Sequence, residues 1–561
     1  MPDRHGSSRS MLSRLAEVSL LWSSGHPPED VDRPRRLDEH TREDLRMDRW
    51  IDAVFSQAST RRIAEDLLAR PLGQESRELR DDRWAVVEAL SSLPKLRQSV
   101  RDLENRTAEL QTLAERPGDR ELLKLVWRLG DLTLLVDSLG ELSQHLSEAG
   151  EALTARPLQA LRDLLARLQK DRQFQHLQRE LPRLRDGLRN RRSVTVGVNL
   201  DDRLRPVEAV LLSIHDEAFD DRSILGNVVA TILGTAAPSA RARVRRNTVP
   251  GDWPDASSST PLDPLFEDLD TLLRDVSGPL SRGLKRFNAV EVSWFRRLVS
   301  ELALYCDLAE YRDRLVSAGH QVCSADVLPE GPLEAQALID PVLALGRTRE
   351  DAPVVPTDIQ LFSQTPAAIV TGPNNGGKTT LLRAVGIAHL CANAGFPVAA
   401  QQFTSREGLR VLSEFAGGES VATEQGRFAY EAERLAQVLE RSGSDTLLLL
   451  NESLSSTGAS DALEIATELL EVAAERGAWV IFATHLHELP RRMVERGSAT
   501  SLTIRPGDLY RVVEALPDGR SLAREVARRA GLDFERLRRG GPTALRTDER
   551  RLEQGNPDPP K

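Results

Sequence analysis

The stretch Thr371-Gly372-Pro373-Asn374-Asn375-Gly376-Gly377-Lys378-Thr379-Thr380 decides how the last third of this 561-residue chain is read. It follows Ala367-Ala368-Ile369-Val370, an apolar run of buried-strand length, and leads into Leu381-Leu382-Arg383-Ala384-Val385, which opens a helix. Gly372 through Thr379 fits G-x-x-x-x-G-K-[ST] in the strand–loop–helix setting that the pattern requires. Glycines let successive backbone N–H groups close on phosphate oxygens, and the following helix N-terminus adds favourable partial charge. The expected ligand is a nucleoside triphosphate, cradled by Gly372, Pro373, Asn374, Asn375, Gly376, Gly377, Lys378, Thr379 and Thr380. Lys378 reaches the β- and γ-phosphates in this reading, and the Thr379 hydroxyl holds Mg²⁺. A glycine-rich turn that binds nothing is the competing reading; agreement of pattern and setting favours the nucleotide.

The length predicts about three or four domains. With 40% hydrophobic and 29% charged residues, the composition is that of a globular protein with a large core. Only 4% of residues are aromatic, and the richness in Leu and Ala leans towards helix. A formal net charge of -10 gives no global nucleic-acid signature, so any such contact must come from local patches. Cys306, Cys323 and Cys391 form no C-x-x-C pair, which argues against a disulfide framework and fits a reducing cytoplasm. The apolar stretch from Leu15 to Trp22 is short and broken by Glu17, a poor signal peptide, and no run reaches the ~20 apolar residues of a membrane span.

Upstream, Leu122, Val126, Leu129, Leu132, Leu135, Val136 and Leu139 recur at helical spacing. Leu158, Leu161, Leu165 and Leu168, then Leu177, Leu181, Leu184 and Leu188, form a heptad-like seam suited to a long helix, with Pro182 expected to kink or interrupt it. Val194, Val196, Val198 and Leu200 alternate with small or polar residues, the period of a strand. Pro250 to Pro264 reads as a loop, and helical pattern returns from Leu265 to about Ala318.

Two later strands add polar ends to apolar runs. Thr446-Leu447-Leu448-Leu449-Leu450 ends in Asn451-Glu452, and Trp479-Val480-Ile481-Phe482-Ala483-Thr484 ends at His485. Parallel sheets bind ligands at such carboxyl edges. Glu452 is the expected general base and His485 a γ-phosphate contact, while Asn451 stands where P-loop enzymes carry a Mg²⁺-supporting Asp. A lone His is more often a structural hydrogen-bonder.

Gly372-to-Thr380, the run from Leu447 through Ala462, and Phe482-Ala483-Thr484-His485-Leu486-His487-Glu488-Leu489 together resemble the ATPase domain of MutS-family DNA mismatch-repair proteins. The segment Gly519 to Leu532 resembles that family's closing helix, and Leu37 to Leu45 with Leu68 to Leu72 resembles the start of its helical core. There are departures. No Phe-x-Glu mismatch wedge occurs, so the resemblance is to a short form without the N-terminal mismatch-recognition domain, and little chain remains after Leu532 for a nuclease module. Gly426 falls where the family offers a Ser to the partner's γ-phosphate, while Thr457 and Asp461 match the loop at the family's dimer interface.

The resemblance implies a multidomain α and α/β architecture: an all-α core and lever with a small β-containing clamp, then a C-terminal P-loop, ABC-like α/β ATPase domain. The expected boundaries are a mobile N-terminus at 1–36, core and lever at 37–345 with a clamp-like insertion around 193–264, the ATPase domain at 346–537, and a disordered tail at 538–561. It also implies a homodimer clamping duplex DNA without sequence preference, under control of ATP binding and hydrolysis. Arg183, Arg185, Arg189, Arg191 and Arg192, and Arg241, Arg243, Arg245 and Arg246, occupy the place of the family's lever-and-clamp arm. Such arginines contact phosphates, and they equally suit a solvated surface. The alternatives are a nucleotide-gated scaffold with little hydrolysis and an ABC-type ATPase subunit unrelated to DNA.

Overall fold

The computed structural model describes residues 15, 17–22, 36–70, 77–114, 121–189, 193–200, 206–215, 281–284, 293–347, 354–362, 364–373, 376–416, 426–505 and 511–517. The chain divides into two compact units, one of residues 1–32 and 85–309, the other of 33–84 and 310–561. Short helices open the described chain: α1 (Glu39–Asp44), α2 (Met47–Val54) and α3 (Ala58–Leu68). Longer ones follow as α4 (Arg77–Ser92), α5 (Pro94–Ala114), α6 (Glu121–Glu148), α7 (Arg156–Leu168) and α8 (Arg172–Arg189). A hairpin of β1 (Ser193–Leu200) and β2 (Pro206–His215) comes next, and then α9 (Ser293–Ser317). The unit boundaries fall within α4 and α9.

In the first unit the leucine seams form the core. Leu129, Leu132, Leu135 and Leu139 of α6, Leu158, Leu161, Leu165 and Leu168 of α7, and Leu177 and Leu181 of α8 are all buried. The seam belongs to two helices, not one. It breaks after Leu168, where the Asp171 carboxylate accepts from Gln173 N and Phe174 N at 2.9 and 3.0 Å and caps a new helix. Pro182, expected to interrupt the seam, lies inside α8. The alternating valines do form a strand, with β1 antiparallel to β2. Residues 250–264, 519–532 and 538–561 lie outside the described residues.

In the second unit the strands are β3 (Asp326–Leu328), β4 (Leu333–Leu338), β5 (Thr357–Leu361), β6 (Ala367–Thr371), β7 (Gln402–Arg406), β8 (Arg410–Phe415), β9 (Thr446–Asn451), β10 (Trp479–Ala483), β11 (Thr500–Ile504) and β12 (Val512–Glu514). The helices between them are α10 (Pro341–Leu345), α11 (Lys378–Ala394), α12 (Arg427–Arg441), α13 (Ala459–Glu475) and α14 (Glu488–Glu495). Two mixed sheets result, a six-stranded one in the order β12-β11-β6-β10-β9-β8 and a four-stranded one in the order β3-β7-β4-β5. In the larger sheet every pairing is parallel except β11 with β12.

Every residue of β6, β9 and β10 is buried, which is why these strands read as unbroken apolar runs. Alternate side chains serve opposite faces. Ile369, Leu448, Leu450, Val480 and Phe482 share a core with Leu463 and Leu470 of α13 and with Leu489 and Met493 of α14. The other face receives α11, buried nearly all round its circumference, with its buried polar side chains Arg383, His389 and Asn393 hydrogen-bonded to Asp340 and to the Leu409 carbonyl. Arg83, itself fully buried, donates from Nη1 to the Ala394 carbonyl at 2.6 Å and so satisfies the end of α11. Residues 33–84 thus group with the sheet that follows much later in the chain.

Candidate functional site

The carboxyl ends of β6, β9 and β10 lie side by side because these strands are parallel neighbours. Backbone bonds extend the ladder past the strand ends: Thr484 N donates to Val370 O at 3.0 Å and Glu452 N to Ala483 O at 2.8 Å. The segments carrying Lys378, Glu452 and His485 therefore leave the sheet at one edge.

Gly376 and Gly377 shape the turn after β6. A Cβ on Gly376 would stand 2.8 Å from the Pro373 carbonyl oxygen, a backbone atom that cannot swing aside. Gly377 precedes α11 with φ 93, a left-handed conformation costing an L-residue about 1–2 kcal/mol. The Lys378 amine is drawn back under this turn. It donates to the carbonyls of Gly372 at 2.9 Å and Pro373 at 3.2 Å, and lies 3.3 Å from His485 Nε2 and 3.4 Å from Glu452 Oε1. His485 Nε2 and Glu452 Oε1 are 2.9 Å apart. The Lys378 side chain is only 3% exposed, against 35% for Glu452 and 40% for His485. Lysine thus forms the floor of the site and the other two its mouth.

Electrostatics follow from this packing. Burial pulls the Lys378 amine below its usual pKa, opposed by the Glu452 carboxylate. The hydrogen bond from His485, with Lys378 nearby, holds the Glu452 carboxyl below its ordinary value despite partial burial, so it is ionised at neutral pH. Thr379 Oγ1 donates to Asn451 Oδ1 at 3.2 Å.

Beside the turn opens a cavity of about 800 Å³ whose lining includes Gly376, Gly377, Thr380, Val354, Val355, Pro356, Ile504 and Val512. Val354, Val355, Pro356, Ile504 and Val512 make one part of its wall apolar, while His320, Gln321, Asp340 and Arg347 line another.

Among the expected residues, Gly372, Pro373, Gly376, Gly377, Lys378, Thr379, Thr380, Asn451, Glu452 and His485 come together at this one edge; Asn374 and Asn375 lie outside the described residues. Asp461 is exposed in the first turn of α13, and Gly426 precedes α12 with φ 85. Of the arginines, Arg183 is exposed on α8 and pairs with Glu180 at 2.8 Å, Arg185 is half-buried and Arg189 ends the helix. Arg191, Arg192, Arg241, Arg243, Arg245 and Arg246 lie outside the described residues.

Sequence reasoning missed a second tier of side chains. Glu414 of β8 and Glu431 of α12, 1% and 3% exposed, accept hydrogen bonds from Ser453 and Ser456. Asp44 of α1 accepts from Ser413 Oγ at 2.7 Å and Phe415 N at 3.1 Å. The one signal available was a polar pair, Ser413-Glu414, inside the otherwise apolar strand Val411 to Phe415.

The family model described as MutS domain V matches residues 368–507, which hold this edge. A second, described as the MutS2 N-terminal domain, matches residues 83–318. Together these stretches take in more than half of the chain. The chain belongs to the MutS family.

Named MutS-family relatives align with part of it. An "Endonuclease MutS2" of Pelotomaculum thermopropionicum is 32% identical over 195 residues, 33% of this chain and 24% of that one. A "DNA mismatch repair protein MutS" of Granulibacter bethesdensis is 30% identical over 252 residues, 44% of this chain and 27% of that one. An "Endonuclease MutS2" of Streptococcus suis is 30% identical over 187 residues, 32% of this chain and 24% of that one. The chain spans about a quarter of the length of these relatives. Among the described residues, no helix is long and apolar enough to cross a membrane.

Proposed function

We propose that this chain binds and hydrolyses ATP on a P-loop ATPase domain, residues 346–537, and couples that cycle to duplex DNA in mismatch repair or a related DNA transaction. One observation carries the reading: Lys378, Glu452 and His485 lie within 3.4 Å of one another at the carboxyl edge of parallel strands, beside the N-terminus of α11.

The triphosphate lies along the turn from Gly372 to Gly377, where glycine lets backbone N–H groups close on phosphate oxygens. Lys378 exchanges the two loop carbonyls for β- and γ-phosphate oxygens, which adds negative charge beside a buried amine that already faces Glu452 at 3.4 Å. The base enters the apolar part of the adjoining cavity, against Val354, Val355 and Ile504. The Thr379 hydroxyl and the Asn451 amide, already hydrogen-bonded, fit a magnesium ion and its water shell. A magnesium ion there neutralises phosphate charge. Glu452, ionised and partly exposed, takes the proton of the attacking water; His485 orients Glu452 and contacts the γ-phosphate.

The family membership and the name of the Granulibacter relative, a DNA mismatch repair protein, support DNA as partner. In this reading residues 37–345 form the core and lever, with a clamp-like insertion around 193–264, and two copies of the chain close around a duplex. Arg183, Arg185 and Arg189 with the further arginines contact phosphates, so affinity falls steeply with salt. A second reading, a nucleotide-gated scaffold with little hydrolysis, is favoured by the neutral Asn451 beside Thr379.

Steady-state ATP hydrolysis with and without duplex DNA, for wild type and Lys378→Ala, tests the proposal. Turnover by wild type, stimulation or inhibition by DNA, and steep loss in a folded Lys378→Ala protein are expected. Tight ATP binding without turnover supports the scaffold; ATP binding and turnover unaffected by Lys378→Ala overturn the site.

A further inference from the structure

The turn after Glu452 is held by two buried carboxylates from different elements. Ser453 Oγ donates to Glu414 Oε2 on β8 and also lies 3.4 Å from the Glu414 carbonyl. Ser456 Oγ donates to Glu431 Oε2 on α12 at 2.6 Å. On either side of Ser453 the backbone takes a conformation that L-residues disfavour, with φ 55 at Glu452 and φ 70 at Leu454. Each such residue costs about 1–2 kcal/mol, so the turn relaxes unless its surroundings hold it. Leu454, 2% exposed, is pinned in the core behind the sheet.

A carboxylate is a costly way to fill a core. What it adds over an apolar side chain is direction, a fixed acceptor that admits one position of its donor. Glu414 is itself braced, since its strand neighbours Ser413 and Phe415 are both anchored on Asp44. Arg434 of α12 supplies positive charge to both Asp44 and Glu414.

We propose that Glu414 and Glu431 are positioning residues for ATP hydrolysis: through Ser453 and Ser456 they fix the left-handed turn that aims the Glu452 carboxylate at the attacking water. This rests on the ATPase reading above. ATP binding is carried by the separate turn between β6 and α11, so loosening the clamp slows the chemical step and leaves affinity unchanged.

The test uses the full chain as wild type, Glu452→Gln, Ser453→Ala, Glu414→Ala, Glu414→Gln and the double variant Glu414→Ala/Ser453→Ala. Single-turnover hydrolysis of ATP and the Kd of a fluorescent ATP analogue are measured. Ser453→Ala and Glu414→Ala should each slow hydrolysis about tenfold or more, since small misplacements of a reacting group cost up to about 10²-fold. Their Kd should stay within about twofold of wild type, well under the tenfold that 1.4 kcal/mol represents. Glu414→Gln keeps an acceptor oxygen and should recover most of the rate. The double variant should be no slower than the slower single one, because both remove the same bond.

A purely structural role would lower the melting temperature but leave the rate per folded molecule intact. Should Glu414→Ala fail to fold, Ser453→Ala, which removes a single oxygen, decides. Wild-type rates for Ser453→Ala beside a slow Glu452→Gln overturn the positioning role and leave the ATPase reading standing. A wild type that does not hydrolyse ATP, or a Glu452→Gln as fast as wild type, overturns both.

Discussion

Two turns leave the same sheet edge and are built on opposite principles. The turn after β6 takes its shape from glycine: Gly376 and Gly377 occupy positions where a side chain would collide or strain. The turn after β9 also contains left-handed residues, but they are Glu452 and Leu454, so its shape is imposed by Glu414, Glu431 and the core around Leu454. A glycine turn needs no distant partner and tolerates a moving ligand. A turn held by distant carboxylates is fixed to the elements that carry them, which suits a side chain that must keep one aim.

The largest expected effect breaks the second turn's function without touching its shape. Glu452→Gln keeps size and hydrogen-bonding capacity but removes the base, so single-turnover hydrolysis should fall about 10²–10⁴-fold while ATP still binds. Rapid-quench measurement on the folded variant checks this, and an unchanged rate removes Glu452 from the chemistry.

Acid should act with opposite sign on the helix that follows the first turn and on the strand that braces the second. His389, in the C-terminal half of α11, is fully buried with Nε2 on the Leu409 carbonyl, and burial pushes its pKa from 6.5 to about 4. The fold therefore keeps it neutral. Its contribution is fully present above about pH 6.5 and is lost as pH falls towards 4, in all about 3 kcal/mol. Glu414 is raised by burial, so its contribution is present below the usual 4.5 and is lost as pH rises through its folded value. Urea unfolding between pH 7 and 4 should show a decline that His389→Gln flattens. Equal slopes for both proteins would reject it.

Gly377→Ala should cost about 1–2 kcal/mol at the first turn, from the left-handed position alone. If that strain is relieved by distorting the loop, the Kd for ATP rises up to about tenfold with little change in melting temperature. An unaltered Kd and stability would show that glycine is not what shapes this turn. The smallest effect concerns Asn451, which accepts from Thr379 at 3.2 Å. Asn451→Asp keeps that acceptor and adds charge, so the half-saturating Mg²⁺ concentration should fall, by less than about tenfold. A rise or no change would separate Asn451 from the metal.

What could be read beforehand follows the same division. The strand–glycine–helix pattern, the polar ends of β9 and β10 and the strand period of β1 are local signals, and each element formed where its residues indicated. The leucine seam was legible as helix, but its break was not, because the capping by Asp171 looks in sequence like any other polar residue. Glu414 and Glu431 carried no motif. Their partners lie 39 and 25 residues further along the chain; the parallel pairing of β8 with β9 brings Glu414 to Ser453, and the packing of α12 brings Glu431 to Ser456.

The sequence by itself determined the glycine turn after β6, because glycine's freedom is a property of the residue and not of its surroundings. It likewise determined which strands are buried on both faces, since unbroken apolar runs admit no solvent side. Only the tertiary structure decided that residues 33–84 belong with the sheet, that Lys378, Glu452 and His485 share one edge, and that non-glycine residues hold a left-handed turn. Those outcomes depend on hydrogen bonds and packing between segments far apart in the chain, whose energies exist only once both partners are in place.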